Sequence, residues 1–84
     1  MPDNVEVILK WAEDDNPRYL TFRGIEQWAL HLDEAPWQAP SRPWTLNQGE
    51  PMEIRIAEFE DLGVVVFYSV EHATGRVRLL YVGS

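Results

Sequence analysis

Cysteine is absent from the 84 residues of the chain, so no disulfide can support its fold. Small secreted domains commonly depend on disulfides, and a chain without them is typical of a reducing compartment. The sequence also has no apolar run long enough to cross a bilayer, and it does not open on a basic segment followed by an apolar one. We therefore expect a cytoplasmic protein that has no membrane partner.

Basic residues are scarce. The chain has 7 Lys and Arg against 14 Asp and Glu, which gives a formal net charge of -7. A surface of this sign repels a phosphate backbone, so we expect no direct contact with nucleic acid. The excess charge either keeps a small protein soluble or attracts a basic protein partner, and composition does not decide between these two interpretations.

Apolar residues are plentiful. They make up 45% of the chain and include four Trp, which supplies the core of a single domain over residues 1–84. The last third has three apolar, β-branched and aromatic runs, Met52–Phe59, Val64–Val70 and Arg76–Val82, with turn residues between them. They predict a three-stranded antiparallel meander. Because Val64–Val70 has almost no polar alternation, it should lie inside the sheet.

Strict alternation assigns the faces of the outer two strands of this meander. It places these apolar residues on the side of the core: Met52, Ile54, Ile56, Val77, Leu79 and Tyr81. It places these charged residues near one another on the exposed side: Glu53, Arg55, Arg76 and Arg78.

The first part of the chain is harder to assign. Val5–Trp11 alternates along its length, which predicts a first strand. Arg18–Arg23 fits two structures. It forms a second strand, since Tyr, Thr and Phe favour strands, or it belongs to a helix that Asn16 caps with Pro17 at the first position.

The clearest helix covers Ile25–Glu34, with Ile25, Trp28 and Leu32 on one apolar stripe and Pro36 after its end. We predict an α+β fold: an antiparallel sheet of four to five strands with one helix packed on one face, in the order ββαβββ or βαβββ. The helix stripe should contact apolar residues of the strands, namely Leu20, Ile54, Ile56, Val66 and Leu79.

Residues 35–51 should form an irregular loop, because four of the six prolines of the chain fall there. The loop also holds Trp37 and Trp44. These side chains either cover the core or stand exposed as anchors for a partner.

No chemistry is evident in the pattern of reactive residues. His31 and His72 are far apart in sequence, and no serine lies in a nucleophile motif. The carboxylates at 13–15 and 58–61 lack the spacing and the glycine of a calcium loop, and no His or Cys spacing suits zinc. We therefore predict neither a cofactor, nor a metal, nor a catalytic residue.

The composition favours a small acidic, non-enzymatic protein-binding module of the inhibitor or immunity type, which engages a basic protein partner. An accessory subunit of a larger assembly is an alternative, and an open edge strand would permit a homodimer. The predicted partner-binding residues are the acids that would steer the encounter and the two Trp anchors: Glu13, Asp14, Asp15, Asp33, Glu34, Trp37, Trp44, Glu58, Glu60 and Asp61.

The last three strand segments also carry a resemblance. Glu53-Ile54-Arg55-Ile56, Val65–Val70 and Gly75–Gly83 resemble the C-terminal sheet of the RelE/ParE toxin superfamily, and Val5–Trp11 would match its first strand. The resemblance implies a toxin of a toxin–antitoxin system that acts on the ribosome or on a topoisomerase.

The sequence departs from that family at the basic residues that its ribonucleases use. Glu53 and Val65 stand where a Lys and an Arg are expected, although Arg55 retains a base. The sequence also ends at Ser84, where a basic extension would begin, and the long helical hairpin of the family is reduced to one clear helix. The resemblance therefore implies a non-catalytic or partner-binding derivative.

Overall fold

The computed structural model describes residues 4–37, 40–44 and 52–84. Two helices precede four strands: α1 (Asn4–Asp15), α2 (Tyr19–Leu30), β1 (Ser41–Pro43), β2 (Met52–Phe59), β3 (Val64–Glu71) and β4 (Val77–Gly83). The strands form one antiparallel sheet in the order β1-β2-β3-β4. The α+β class and the antiparallel sheet are confirmed, but the sheet is accompanied by two helices where one was predicted.

The strand predicted at Val5–Trp11 is wrong, because this segment lies within α1. Ile8 and Trp11, three residues apart, are buried on one side of the helix. Val5 and Leu9, which a strand would have shared with the core, are exposed. The helix ends at Asp15, and Asn16 after it donates its N–H to Ala12 O at 3.0 Å. Asn16 has a φ of 47°, a left-handed conformation that asparagine adopts more easily than most residues do.

The strand considered for Arg18–Arg23 is also wrong, and the helical alternative holds. The helix begins at Tyr19 with Arg18 at the N-cap, so Asn16 and Pro17 do not start it. Leu20, predicted to contact the core, is 80% exposed. At the other end α2 stops at Leu30 and residues 31–34 form a turn, so the helix predicted for Ile25–Glu34 began and ended too late in the sequence.

The meander is confirmed, with β3 between β2 and β4 as predicted. Both helices pack on the same face of it. On β3 that face carries Val66, Tyr68 and Val70, each fully buried. They belong to one cluster with residues of the helices, among them Ile8, Trp11, Ile25 and Leu32. Trp28 joins the cluster by edge contacts to the rings of Phe59 and Tyr68, at 5.0 and 5.7 Å between centroids.

The register of β2 reverses part of the predicted core. Ala57 lies opposite Val66 and Arg55 opposite Tyr68, so Arg55 points to the helix side. Ile54 and Ile56 therefore lie on the far side and do not meet the helix stripe, whereas Val66 and Leu79 lie on the side of the helices as predicted. The expected exposed group of Glu53 and Arg55 beside Arg76 and Arg78 does not form, because Arg55 is buried.

A β-bulge in β4 reassigns its last residues. Leu79 pairs with Tyr68 and Tyr81 pairs with Phe67, so Leu80 is the extra residue. The bulge turns Tyr81 to the face away from the helices and Val82 toward them, opposite Val66. The predicted grouping of Tyr81 with Val77 and Leu79 is wrong for this reason.

The segment predicted as an irregular loop, residues 35–51, contains the short strand β1. Ser41 pairs with Ala57 and Pro43 with Arg55 at the edge of the sheet. Residues 38–39 and 45–51 of that predicted loop lie outside the described residues.

Candidate functional site

The face of the sheet turned away from the helices is mostly apolar, and no described helix or strand packs on it, although Ile56 and Ser69 on this face are buried. We call it the open face. The strand registers assign to it the following side chains: Arg42, Met52, Ile54, Ile56, Glu58, Val65, Phe67, Ser69, Glu71, Arg78 and Tyr81. Trp44 joins them directly after β1, where its N–H donates to Ile54 O at 2.8 Å.

Three aromatic rings cross the open face in a row formed by Trp44, Phe67 and Tyr81. Trp44 and Phe67 meet edge to face, with centroids 5.1 Å apart and planes at 89°. Phe67 and Tyr81 are 6.2 Å apart at 60°. Edge-to-face pairs at these separations attract one another through their quadrupoles, so these contacts hold the three rings of the aromatic row in place.

The ends of the aromatic row are open to solvent. Trp44 is 50% exposed and Tyr81 49% exposed, while Phe67 between them is partly buried. Gly83 contributes to the position of Tyr81, because a Cβ added at Gly83 would come within 2.6 Å of Tyr81 Cζ. The ring of Tyr81 thus occupies the space that a side chain at position 83 would need.

Arg42 borders the aromatic row and is fixed by two contacts. Its guanidinium lies 6.0 Å from the centroid of the Trp44 ring, within the range of a cation–π interaction. The same side chain pairs with Glu58, at 2.7 Å from Nη2 to Oε1. Among the described strand residues, the open face carries two bases, Arg42 and Arg78, and two acids, Glu58 and Glu71. Its charges therefore balance, in contrast to the net charge of -7 of the whole chain.

Trp37, the other predicted anchor, belongs to a polar cluster on the helix side of β2. Its indole N–H donates to Glu53 Oε2 at 2.8 Å, although half of the side chain is exposed. Arg55 donates to the same carboxylate at 3.3 Å and to the side chain and carbonyl of Ser41, both at 3.1 Å. These bonds tie the chain before β1 to the sheet. The structure therefore does not bring Trp37 and Trp44 into one site.

The eight predicted acidic residues are all exposed, but they lie in three separate places. Glu13, Asp14 and Asp15 end α1. Asp15 lines a cavity of about 560 Å³ together with Leu62 and Gly63 of the β2–β3 turn, which also carries Glu60 and Asp61. Asp33 and Glu34 follow α2, where Asp33 shares a groove with the first turn of α1. Glu58 lies on the open face. The acids therefore surround the molecule and do not form one patch.

The described residues contain neither a cluster arranged to hold a metal ion nor a helix that could span a membrane. No group of three or more His, Asp or Glu side chains there is arranged to hold a metal ion. None of the helices formed by residues 4–37 is long and apolar enough to cross a bilayer. His31, one of the two histidines, is exposed and its Nδ1 lies 2.8 Å from Gln27 O.

Phe67, Tyr81 and Arg42 were missed at the sequence level. A signal for Phe67 was present, since β3 is apolar on both of its faces and only one of them is needed for the core. Tyr81 was hidden by the bulge, which no local pattern announces. Searches of family models, of curated proteins and of solved structures found no match to the chain.

Proposed function

We propose that this protein is a small acidic, non-enzymatic binding module that docks a basic protein partner on the open face of its sheet. The observation that carries the proposal is the aromatic row, which is apolar, prearranged and half exposed at both ends. A contiguous apolar patch on the surface of a small domain is typical of an interaction site.

The chemistry of the open face favours a protein as the partner. Trp, Tyr and Arg are the residues most enriched where interfaces gain their affinity, and Trp44, Tyr81 and Arg42 lie together here. Flat rings that are already held by edge contacts lose little conformational freedom on binding. The balanced charge of this face also suits the apolar centre of an interface, from which unpaired charges are largely excluded.

The charge of the rest of the molecule favours a basic partner. The acids at both ends of the helix pair and in the β2–β3 turn lie outside a docking face whose own charges balance. Such an arrangement raises the rate at which a basic protein encounters the surface, and added salt weakens this steering. We therefore expect association to slow with salt more strongly than dissociation accelerates.

Affinity capture with matched tyrosine variants tests this proposal. Wild-type protein, Tyr81→Ala and Tyr19→Ala are immobilised and exposed to lysate of the native host at low and high salt. Tyr19 is the control, because it is 72% exposed but lies on α2, away from the open face. We expect wild type and Tyr19→Ala to retain the same basic protein at low salt, and Tyr81→Ala to bind the purified partner at least about tenfold more weakly.

Two results would count against the proposal. One is recovery of no basic protein by the wild type. The other is equal affinity of Tyr81→Ala and Tyr19→Ala for the purified partner, which would place the contact elsewhere.

A divergent RelE/ParE-like toxin is a second candidate, and the helix pair favours it. The helices α1 and α2 form a hairpin ahead of the meander, as the resemblance implies, where the sequence had indicated one helix. Two observations weigh on the other side: Val5–Trp11 is no strand, and Arg55 is buried by contacts within the chain. If this candidate is correct, induced expression should arrest growth, and Arg76→Ala or Arg78→Ala should relieve the arrest. Expression without growth arrest would exclude this candidate.

A further inference from the structure

The two helices leave a groove between them on the side of the molecule opposite the open face. Its cavity measures about 150 Å³ and is lined by side chains of both helices and the turn after α2: Asn4, Val5, Ile8, Leu9, Glu26, Ala29, Leu30 and Asp33. Ile8 is buried at its base. Val5, Leu9 and Leu30 rise around it with 56%, 53% and 59% of their surfaces exposed.

The apolar side chains of the groove are more than the fold requires. The core uses Ile8 and Trp11 of α1, whereas Val5 and Leu9 form a second stripe, four residues apart, on the outside of the same helix. Leu30 faces that stripe from the last turn of α2. A partner that covers Val5, Leu9 and Leu30 would bury apolar surface that is exposed to water in the isolated chain.

The size of the cavity indicates which kind of ligand it suits. Sites for small molecules commonly measure about 300–1,000 Å³ and enclose most of the ligand. A cavity of about 150 Å³ is below that range and suits an anchoring side chain of a larger partner. A groove bounded by two helices is the shape that receives a third, with its apolar stripe placed between the two walls.

The charged residues that border the groove indicate the net charge that a third helix there should have. Glu26 and Asp33 border it, and none of the described residues that line it is basic. Glu26 also pairs with Arg23, which lies outside the groove. An acidic helix would be repelled, and a second copy of this chain, with its charge of -7, is likewise disfavoured.

From this combination we propose that the groove between α1 and α2 is a second docking site, which takes a basic amphipathic helix from a partner protein. An apolar side chain of that helix enters the cavity beside Leu9 and Leu30, and its Lys or Arg side chains pair with Asp33 and Glu26. The site does not depend on the open face, because the sheet separates the two surfaces.

A designed peptide serves as the probe. It has about 18 residues, long enough to form a helix on binding, with Leu at positions i, i+3, i+4 and i+7 and Lys elsewhere. One control peptide has the same composition in shuffled order, and a second has Glu in place of Lys. Binding of the fluorescein-labelled peptides to the full chain is followed by anisotropy at low and high salt.

Variants of the protein locate the binding. We expect Leu30→Ser to bind the Leu/Lys peptide at least about tenfold more weakly than the wild type does. Asp33→Asn should bind it several-fold more weakly at low salt, but with almost wild-type affinity at high salt. Leu20→Ser is the matched control, because Leu20 is an exposed leucine of the same helix that does not line the groove. Leu20→Ser and Trp44→Ala should bind the peptide as the wild type does.

The outcomes separate this proposal from the one for the open face. Equal binding of the ordered and shuffled peptides, or equal losses in Leu30→Ser and Leu20→Ser, would overturn the groove and leave the open face untouched. A loss in Trp44→Ala with none in Leu30→Ser would move the peptide to the open face and equally overturn the groove.

Discussion

The two faces of β3 are built from similar residues but have different surroundings. Toward the helices the strand presents Val66, Tyr68 and Val70, each with no exposed surface. On the open face it presents Val65 and Phe67, both partly exposed, and Ser69, which is buried. The apolar residues on the helix side are part of the core, because two helices pack on them. The open face is apolar although no described helix or strand covers it, and this excess of apolar surface is the basis of the proposed docking site.

The two faces also differ in how their polar groups are treated. On the helix side, Arg55 is buried with three hydrogen bonds to Ser41 and Glu53. On the open face, Arg42 has a single exposed carboxylate partner, Glu58. Polar contacts on the helix side therefore hold the fold, whereas the Arg42–Glu58 pair on the open face is exposed to solvent. The predictions that follow test this division, from the largest expected effect to the smallest.

Tyr68→Ala should have the largest effect on stability, at about 4 kcal/mol of unfolding free energy, because it removes a fully buried ring. It also removes the hydrogen bond that the hydroxyl donates to Pro36 O at 2.8 Å. Urea denaturation measures the change. Phe67→Ala, its neighbour on the open face, is the matched comparison.

We expect Phe67→Ala to cost less than half as much as Tyr68→Ala, because its ring loses only two edge contacts and partial burial. Equal losses for the two variants would contradict the division of the faces. The open face would then be a second core, and the aromatic row would have no need of a partner.

The same division explains what the sequence predicted well. The meander was predicted correctly because β-branched runs between turns are a local pattern that long-range packing did not alter. The sides of its residues were predicted less well. Alternation assigned the apolar face of β2, with Ile54 and Ile56, to the helices, whereas the face with Arg55 and Ala57 lies there, with Arg55 bonded within the chain.

The helices show the limits of periodicity in short segments. Val5–Trp11 has apolar residues two positions apart, which predicts a strand, and also three positions apart at Ile8 and Trp11, which fits a helix. A segment of seven residues is too short to distinguish the two patterns. The decisive feature was Asn16-Pro17. One of our two alternatives interpreted it as a helix start, but asparagine with positive φ followed by proline is a common helix end. The open face depended on the bulge at Leu80, which arises from pairing between strands.

Arg55→Ala should destabilise the protein by about 2–3 kcal/mol, because it removes charge-assisted bonds and leaves Glu53 and Ser41 without this partner in a largely buried place. Arg42→Ala is the control, since its exposed ion pair with Glu58 should contribute under about 1 kcal/mol. Thermal and urea unfolding measure both. A loss in Arg42→Ala as large as that in Arg55→Ala would show that the open face also depends on its polar contacts.

Asn4→Ala should cost about 1 kcal/mol and open the edge of β4. The carboxamide of Asn4 accepts a hydrogen bond from Leu79 N–H at 2.9 Å and donates one to Val77 O at 3.0 Å, as a neighbouring strand would. Amide hydrogen exchange at Leu79 should accelerate, and Asn4→Asp, which keeps only the acceptor, should preserve part of the protection.

The edge also bears on self-association. An unpaired edge can add a strand from a second copy, so Asn4→Ala should raise the dimer fraction in gel filtration relative to the wild type. Unchanged exchange at Leu79 would mean that Asn4 does not protect this edge, and any dimer would then have to form elsewhere.

Gly83→Ala should have the smallest effect on stability and the most informative effect on the open face. An added Cβ overlaps the ring of Tyr81, which is the movable end of a half-exposed side chain. The ring can move at little cost, so we expect the unfolding free energy to change by less than about 1 kcal/mol. The ring resonances of Tyr81 and Phe67 should nevertheless shift in NMR spectra, because their edge contact is lost. A larger destabilisation would mean that Tyr81 is held as firmly as a core residue. The open face would then resemble the helix side of β3, and the comparison between the two faces would fail at the residue on which the proposed binding depends.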